Sequence, residues 1–287
     1  MIIMIDLHTH SNASDGSCFP AELIELGIKH GLTVMALTDH DTIGGLEEAK
    51  KAAGALGMGF IPGIELEISM QEAISGEFHL LGLGIVNPVP GFFDAVAFLA
   101  HGREERNRQI LKRMADDFGI NAAYEDLLAL AGGNTIGRPH FASYLVKHKI
   151  VKNNKQAFSK YLAKGRPLYI PKPGLDFKLA VSVIHESGGL AILAHPMSLY
   201  IGWGRLPDYI KALKESGLDG LEAWHPTAKA GECKRLEEIA NNLDIFVTAG
   251  SDFHGEARPD RKLGITAGNK KIERTLLDKI PLLAGRL

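Results

Sequence analysis

The feature that most restricts how this chain can fold is an alternation of short apolar runs with helix-like stretches. Apolar runs fall near residues 2–7, 33–38, 59–65, 78–85, 190–194, 219–223 and 245–250, and helical patterns near 20–30, 42–57, 176–187, 206–216 and 231–242. Strands separated by helices imply parallel βα units, because a parallel pair needs a crossover connection. Seven such strands suit a closed or nearly closed (β/α) barrel better than a doubly wound sheet. No G-x-G-x-x-G follows the first strand, as a dinucleotide-binding fold would require. Residues 88–172 break the rhythm and are too long for an ordinary loop. The expected organisation is an α/β, TIM-like barrel built from 1–87 and 173–287, with 88–172 a mainly helical, basic cap inserted over one barrel end.

With 287 residues and 45% hydrophobic content, the chain can bury a substantial core. No apolar run approaches the ~20 residues of a membrane span, so a soluble, unexported protein is expected. The two cysteines, Cys18 and Cys233, lie far apart without a C-x-x-C pairing. That suggests neither a disulfide framework nor a thiolate zinc site and fits a reducing cytoplasm. A net charge of −2 argues against general nucleic-acid binding. The charge is uneven, however: from Leu127 to Lys172 there are nine Lys or Arg and no acid. An anionic ligand near this segment, or simply a solvated basic face, would account for it.

Polar residues able to ligate metals gather where the apolar runs end. His8 and His10 follow the first run, and residues two apart on a strand point to one side and can share an ion. Asp15 sits in a Ser-Asp-Gly turn, where an Asx-turn role is an equally good account. VMALTDHDT ends in Asp39, His40 and Asp41, and FIPGIE ends in Glu65. GEFHLLGLGI places His79 near the start of its run, LAILAHP closes on His195, and IFVTAGSDFH puts Asp252 and His254 two apart. Each signal is ambiguous by itself, and His79 alone would read as a core histidine. Together, nine potential ligands fall mostly at strand ends, which in a barrel converge on one face.

Imidazoles and carboxylates without thiolates suit manganese, iron or zinc, with Glu65 able to bridge two ions. Asp15, Glu65 and Asp252 bring three negative charges, so two dications leave a formal +1 and three leave +3. Such a site attracts phosphate and needs no protein nucleophile. Neither a G-x-S-x-G elbow nor a Cys-His pair is evident, and Cys18 lacks an identifiable base.

The ordered set of HxH, Asp15, TDHDT, GIE, His79, AHP and GSDFH resembles the polymerase and histidinol phosphatase (PHP) superfamily over nearly the whole chain. The resemblance implies a distorted seven-stranded barrel and a metal-dependent phosphoesterase using two or three divalent ions, manganese first and iron or zinc as alternatives. It also implies one metal near His8, His10, Glu65 and Asp252, a second near Glu65, His79 and His195, and a third near Asp15, His40 and His254. Within the superfamily, HGREERNRQI, TIGRPHFASYLV and YLAKGRPLY are similar to the small cap of the nucleoside 3′,5′-bisphosphate phosphatases, a branch that includes 5′-to-3′ exoribonucleases. By that likeness Arg103, Arg106, Arg138 and His140 are candidates for holding a second phosphate, although Arg103 and Arg106 could equally mark an exposed helical face. In LEAWHP, His225 is a candidate pocket residue, and Trp224 either lines the pocket or packs in the core.

The leading expectation is hydrolysis of the 3′-phosphate of a nucleoside 3′,5′-bisphosphate, with metal-bound hydroxide attacking phosphorus. Trimming of short RNA, a histidinol-phosphate-type phosphatase and a non-catalytic metal-binding module are the alternatives. No membrane and no obligate protein partner are expected, and a polymerase proofreading role is disfavoured because no further domain follows residue 287. Nine ligands exceed what one ion can use, so elemental analysis of protein purified anaerobically without chelators should find at least two transition-metal ions per chain. One ion or none would contradict this.

Overall fold

The computed structural model describes residues 3–69, 76–131 and 135–287. Residue 2 of the first expected strand and residues 132–134 of the acid-free segment lie outside that range. In chain order the main elements begin with β1 (Met4–Asp6), α1 (Pro20–Lys29), β2 (Leu32–Leu37), α2 (Leu46–Leu56), β3 (Gly59–Glu67) and β4 (His79–Leu83). Four helices follow: α3 (Pro90–Phe118), α4 (Tyr124–Leu130), α5 (Arg138–Lys147) and α6 (Asn154–Ala157). The chain then alternates again through α7 (Phe177–Glu186), β5 (Leu190–Leu193), α8 (Leu206–Glu215), β6 (Gly220–Trp224), α9 (Ala230–Asn242) and β7 (Phe246–Ala249). Helix α2 starts later than residue 42 because Gly44 and Gly45 precede it, and glycine is costly inside a helix.

The chain folds as two compact units, Met1–Val96 with Gly174–Leu287, and Ala97–Pro173. The first unit is a seven-stranded sheet in sequential order β1 to β7. It curls into a distorted, nearly closed barrel, and a single parallel bridge between Thr9 and Phe253 links the first and last strand ends. Backbone bonds from His10 N–H to Phe253 O and from Asp252 N–H to His8 O, both 2.9 Å, reinforce that closure.

One expectation fails. The strands are not all parallel, since β4 runs antiparallel to both β3 and β5. The other pairs, β1 with β2, β2 with β3, β5 with β6 and β6 with β7, are parallel. No described helix separates β3 from β4, and without a crossover element the chain can only return antiparallel. The reversal has a chemical consequence: the first residue of β4, His79, stands beside Glu67 at the last residue of β3. His79 therefore joins the carboxyl ends of the other strands.

The sheet is buried on both faces: Val34, Ile61, Leu81 and Ile192 share the face of Glu65 and His79, while Ile64, Leu66 and Leu80 lie on the other, towards the helices. The second unit is helical and has its own core, in which Ile110, Met114, Leu127, Phe141, Leu145 and Leu162 are buried. Helix α3 begins in the first unit and continues into the second. Among the described residues no helix is long and apolar enough to cross a membrane.

Candidate metal centre

The nine expected ligands meet at the carboxyl-terminal end of the barrel. His8 and His10 lie just past β1, and strand alternation turns both rings inward, where they are fully buried. Their Nε2 atoms are 3.0 Å apart. Two bare lone pairs at that distance repel, so a proton or a cation must lie between them. Glu65 Oε2 stands 3.3 Å from each of these nitrogens, and Asp252 Oδ1 stands 3.3 Å from His10 Nε2 and 3.6 Å from His8 Nε2. A tetrahedral ion with ligand bonds of about 2.1 Å would separate its ligands by about 3.4 Å, and these separations are close to that value.

The other oxygen of Glu65 faces a second set. Oε1 is 2.8 Å from His79 Nδ1 and 2.8 Å from His195 Nε2, and those two nitrogens are 3.3 Å apart. Glu65 is thus placed as a bridge. A third, looser group comprises His10, Asp15, His40 and His254. Asp15 Oδ1 is 3.2 Å from His254 Nε2, and Asp15 Oδ2 is 3.9 Å from His40 Nε2. His40 also presents Nδ1 to Glu65 Oε2 at 3.1 Å. Within this group His10 Nδ1 and Asp15 Oδ1 are buried with no hydrogen-bond partner, as expected of atoms shaped for an ion.

Residues that the sequence reading passed over fix the imidazoles. Glu222, fully buried in β6, accepts from His8 Nδ1 at 2.9 Å and from the His195 backbone N–H at 2.8 Å. Glu67 Oε2 takes His79 Nε2 at 2.9 Å, and the Ser198 hydroxyl, which donates to the Glu77 carbonyl at 3.0 Å, accepts from His195 Nδ1 at 2.7 Å. His254 Nδ1 donates to the Asp252 carbonyl at 2.8 Å. Each bond places a hydrogen on the outer ring nitrogen and turns the inner one toward the position a metal would take. Asp39 is no ligand. It accepts from Ser11 N–H, Ser11 Oγ and Ser14 Oγ at 2.8, 2.6 and 2.5 Å, pinning the turn that carries Asp15. The signal for Glu222 was its place inside an apolar strand, since a carboxylate there needs a partner.

Backbone strain accompanies the site. Asp41, His195 and Asp252 have φ of 53°, 26° and 53°, a region that L residues occupy only under constraint. All three lie where a strand has just ended, and the turned backbone aims the side chains of His195 and Asp252 inward. Gly250 is required for a related reason, because a methyl there would overlap His8 Cβ and the Glu222 carboxylate.

Burial opposes ionisation of Glu65, but His40, His79 and His8 around it hold its pKa well below the ordinary value. Asp252 and Asp15 are held low against burial in the same way, chiefly by His10 and His225 for the first and by His40 and His254 for the second. Burial would also lower His8 and His79, yet Glu222 and Glu65 lift His8, and Glu65 and Glu67 lift His79, well above the usual imidazole range. His10 is raised to about 9 despite burial, by Asp252 and Glu65. His40, in contrast, is pushed down by burial.

His225 lines the same cavity, with Nε2 3.3 Å from Asp252 Oδ2. Trp224 turns the other way: it is buried, donates from Nε1 to Glu237 at 2.9 Å and is not among the residues lining this cavity, so it packs in the core. Arg103, Arg106, Arg138 and His140 belong to the helical unit. Arg103 and Arg106 are buried, which removes the exposed-face reading, and Arg106 Nε donates to the Ile170 carbonyl at 3.0 Å. Arg138 begins α5 and lies 5.7 Å from the Tyr169 ring centre, while His140 Nδ1 accepts from the Gly137 N–H at 2.9 Å.

A barrel with this donor cluster defines a metal-dependent phosphoesterase. The chain belongs to the PHP domain family, which it matches over residues 6–166. It is 34% identical to a 5′-3′ exoribonuclease of Haemophilus influenzae over 87% of this chain and 89% of that one. It is 32% identical to a 3′,5′-nucleoside bisphosphate phosphatase of Chromobacterium violaceum over 91% of both, and 30% identical to a phosphoribosyl 1,2-cyclic phosphate 1,2-diphosphodiesterase of Eggerthella lenta over 88% and 94%. Among solved structures, one described as an amidohydrolase from Chromobacterium violaceum superposes with a TM-score of 0.85 at 31% identity, covering 98% of this chain and 96% of that one. One described as a metal-dependent phosphoesterase from Bifidobacterium adolescentis gives 0.83 at 29%, covering 97% and 96%.

Two predictions follow from the geometry. His8 and His79, with raised pKa values, carry protons at neutral pH when no metal is bound, so an incoming ion must displace them. Metal affinity should therefore rise with pH through the neutral range and binding should release protons, which calorimetry in buffers of different ionisation enthalpy detects; pH-independent affinity would refute it. Replacing Glu222→Gln should weaken metal affinity about 10- to 100-fold in a folded protein, since the amide no longer fixes the His8 tautomer. Unchanged affinity in a competitive chelator titration would show that Glu222 only packs.

Proposed function

We propose that the protein hydrolyses the 3′-phosphate of nucleoside 3′,5′-bisphosphates. What carries this reading is the conjunction, in one chain, of the full donor cluster with a bisphosphate phosphatase relative matched over 91% of both chains. His8, His10, Glu65 and Asp252 would hold one ion, Glu65, His79 and His195 a second, and Asp15, His40 and His254 a third. Manganese is the metal we expect, with iron or zinc allowed by the same ligand chemistry. The chemistry that bound ions supply is Lewis-acid polarisation of the phosphoryl group and acidification of water.

The chain's own part is positional. Glu222, Glu67 and Ser198 hold the hydrogens of the outer ring nitrogens and so fix the ring orientations, and Glu65 stays ionised between two donor sets. The strained turns at His195 and Asp252 hold those side chains before substrate arrives, so little reorganisation is left for the reaction itself. The open cavity over the cluster has a volume of about 590 Å³, within the range that takes a nucleotide-sized ligand. By the family likeness, Arg103, Arg106, Arg138 and His140 are the helical unit's candidates for a phosphate of the substrate. The free thiols of Cys18 and Cys233 suit a cytoplasmic setting. Exoribonuclease action on short RNA is the second reading, favoured by the Haemophilus relative and by the basic run in the helical unit.

Manganese-reconstituted protein should be assayed against adenosine 3′,5′-bisphosphate, mononucleotides, short 5′-phosphorylated RNA and histidinol phosphate. The expected outcome is the highest kcat/KM on the bisphosphate, with inorganic phosphate released from the 3′ position. Stepwise release of mononucleotides from RNA at a higher kcat/KM would replace this reading with the exoribonuclease one.

A further inference from the structure

We propose that Arg261, with Arg258 beside it, forms an anion subsite on the barrel unit that holds the substrate phosphate not undergoing hydrolysis. The inference rests on the bisphosphate reading above and deepens it. Both arginines line the cavity that contains His195, Asp252 and His254. They sit on the turn that leaves His254, joined by a backbone bond from Arg261 N–H to Arg258 O of 3.0 Å.

Arg261 is the unusual one. Its side chain is only 4% exposed, yet its one ion-pair partner among the described residues is Asp260, at 3.4 Å from Nε and itself 70% exposed. A pair with so exposed a carboxylate is screened by water and does little to offset the burial. The Nε atom is buried with no hydrogen-bond partner. A guanidinium nitrogen taken out of water without a hydrogen-bonded partner is costly, and an anion in the cavity would offset that cost. Arg258 is exposed and has no ion pair among the described residues, and Lys229, at the start of α9, adds a third cation to the wall. The wall also contains Glu77 and Glu232, the latter already accepting from the Lys229 N–H at 2.7 Å.

The subsite is separate from the metal cluster, because no cluster carboxylate among the described residues pairs with Arg261. Bound ions would meet the charge of a phosphate at the cluster. A second phosphate on the same ribose carries its own charge, and Arg261, Arg258 and Lys229 are cations of the cavity wall available to meet it. The planar fork of Arg261 supplies two parallel donors to phosphate oxygens.

The test compares wild type, Arg261→Ala, Arg261→Lys and Arg258→Ala on adenosine 3′,5′-bisphosphate and on adenosine 3′-monophosphate, with metal content and Tm measured for each. Arg261→Ala should lose about 100-fold in kcat/KM on the bisphosphate and less than about threefold on the monophosphate, as expected for one lost charge-assisted contact. Arg261→Lys should recover part of the loss, and Arg258→Ala, on an exposed residue that folding does not need, should lose about tenfold on the bisphosphate alone. Binding of adenosine 5′-monophosphate to metal-stripped protein, read by calorimetry, should weaken in parallel. A wild-type preference for the bisphosphate that survives in Arg261→Ala, or equal losses on both substrates, overturns the subsite while leaving the functional reading intact. A wild type with no preference for the bisphosphate overturns the functional reading itself, and the subsite with it.

Discussion

A single buried carboxylate holds this structure's chemistry together. Glu65 has no exposure to solvent, and an ionised carboxylate so placed is tolerable only when its charge is matched nearby. Five imidazoles answer it: His8, His10 and His40 on Oε2, His79 and His195 on Oε1. Those residues come from the ends of β1, β2 and β5 and the start of β4. The barrel must therefore bring four strands to one point or leave Glu65 unmatched. The same mutual dependence explains why the imidazoles carry raised pKa values where a carboxylate also stands on their outer side, as at His8 and His79.

The cluster is surrounded by polar contacts that make its donors rigid. Glu222 ties β6 to both His8 and the His195 backbone, so it links three strands through one side chain. Asp39 performs the corresponding task for the turn from Ser11 to Asp15, where it gathers three donors. Left-handed residues at Asp41, His195 and Asp252 cost of order 1–3 kcal/mol each. They persist because hydrogen bonds and close packing around them leave no alternative backbone path.

The candidate metal donors all belong to the barrel unit, while the acid-free run of lysines and arginines belongs to the helical unit with its separate core. Arg261 departs from that division by placing a buried cation on the barrel itself. Relatives that act on bisphosphates, RNA and cyclic phosphates keep a similar chain length, which fits a shared reaction centre with variation confined to what surrounds it.

The alternation of apolar runs and helical patterns was enough to place seven strands and the polar residues at their ends, because strand and helix periods are local properties of the chain. His8, His10, His40, Glu65, His195, Asp252 and His254 were legible for that reason: each directly ends or follows an apolar run. The reversal of β4 was not, since an apolar run looks the same in either direction, and only the antiparallel pairing of β4 with β3 and β5 turns His79 toward the site. Trp224 and His225 are adjacent in sequence, yet pleating sends one to the core and the other to the cavity. Glu222 was missed although its place inside an apolar strand implied burial, and Arg261, in a charged turn, carried no sign of its burial. Their meaning comes from desolvation, which depends on what packs around them and is decided only when the barrel closes.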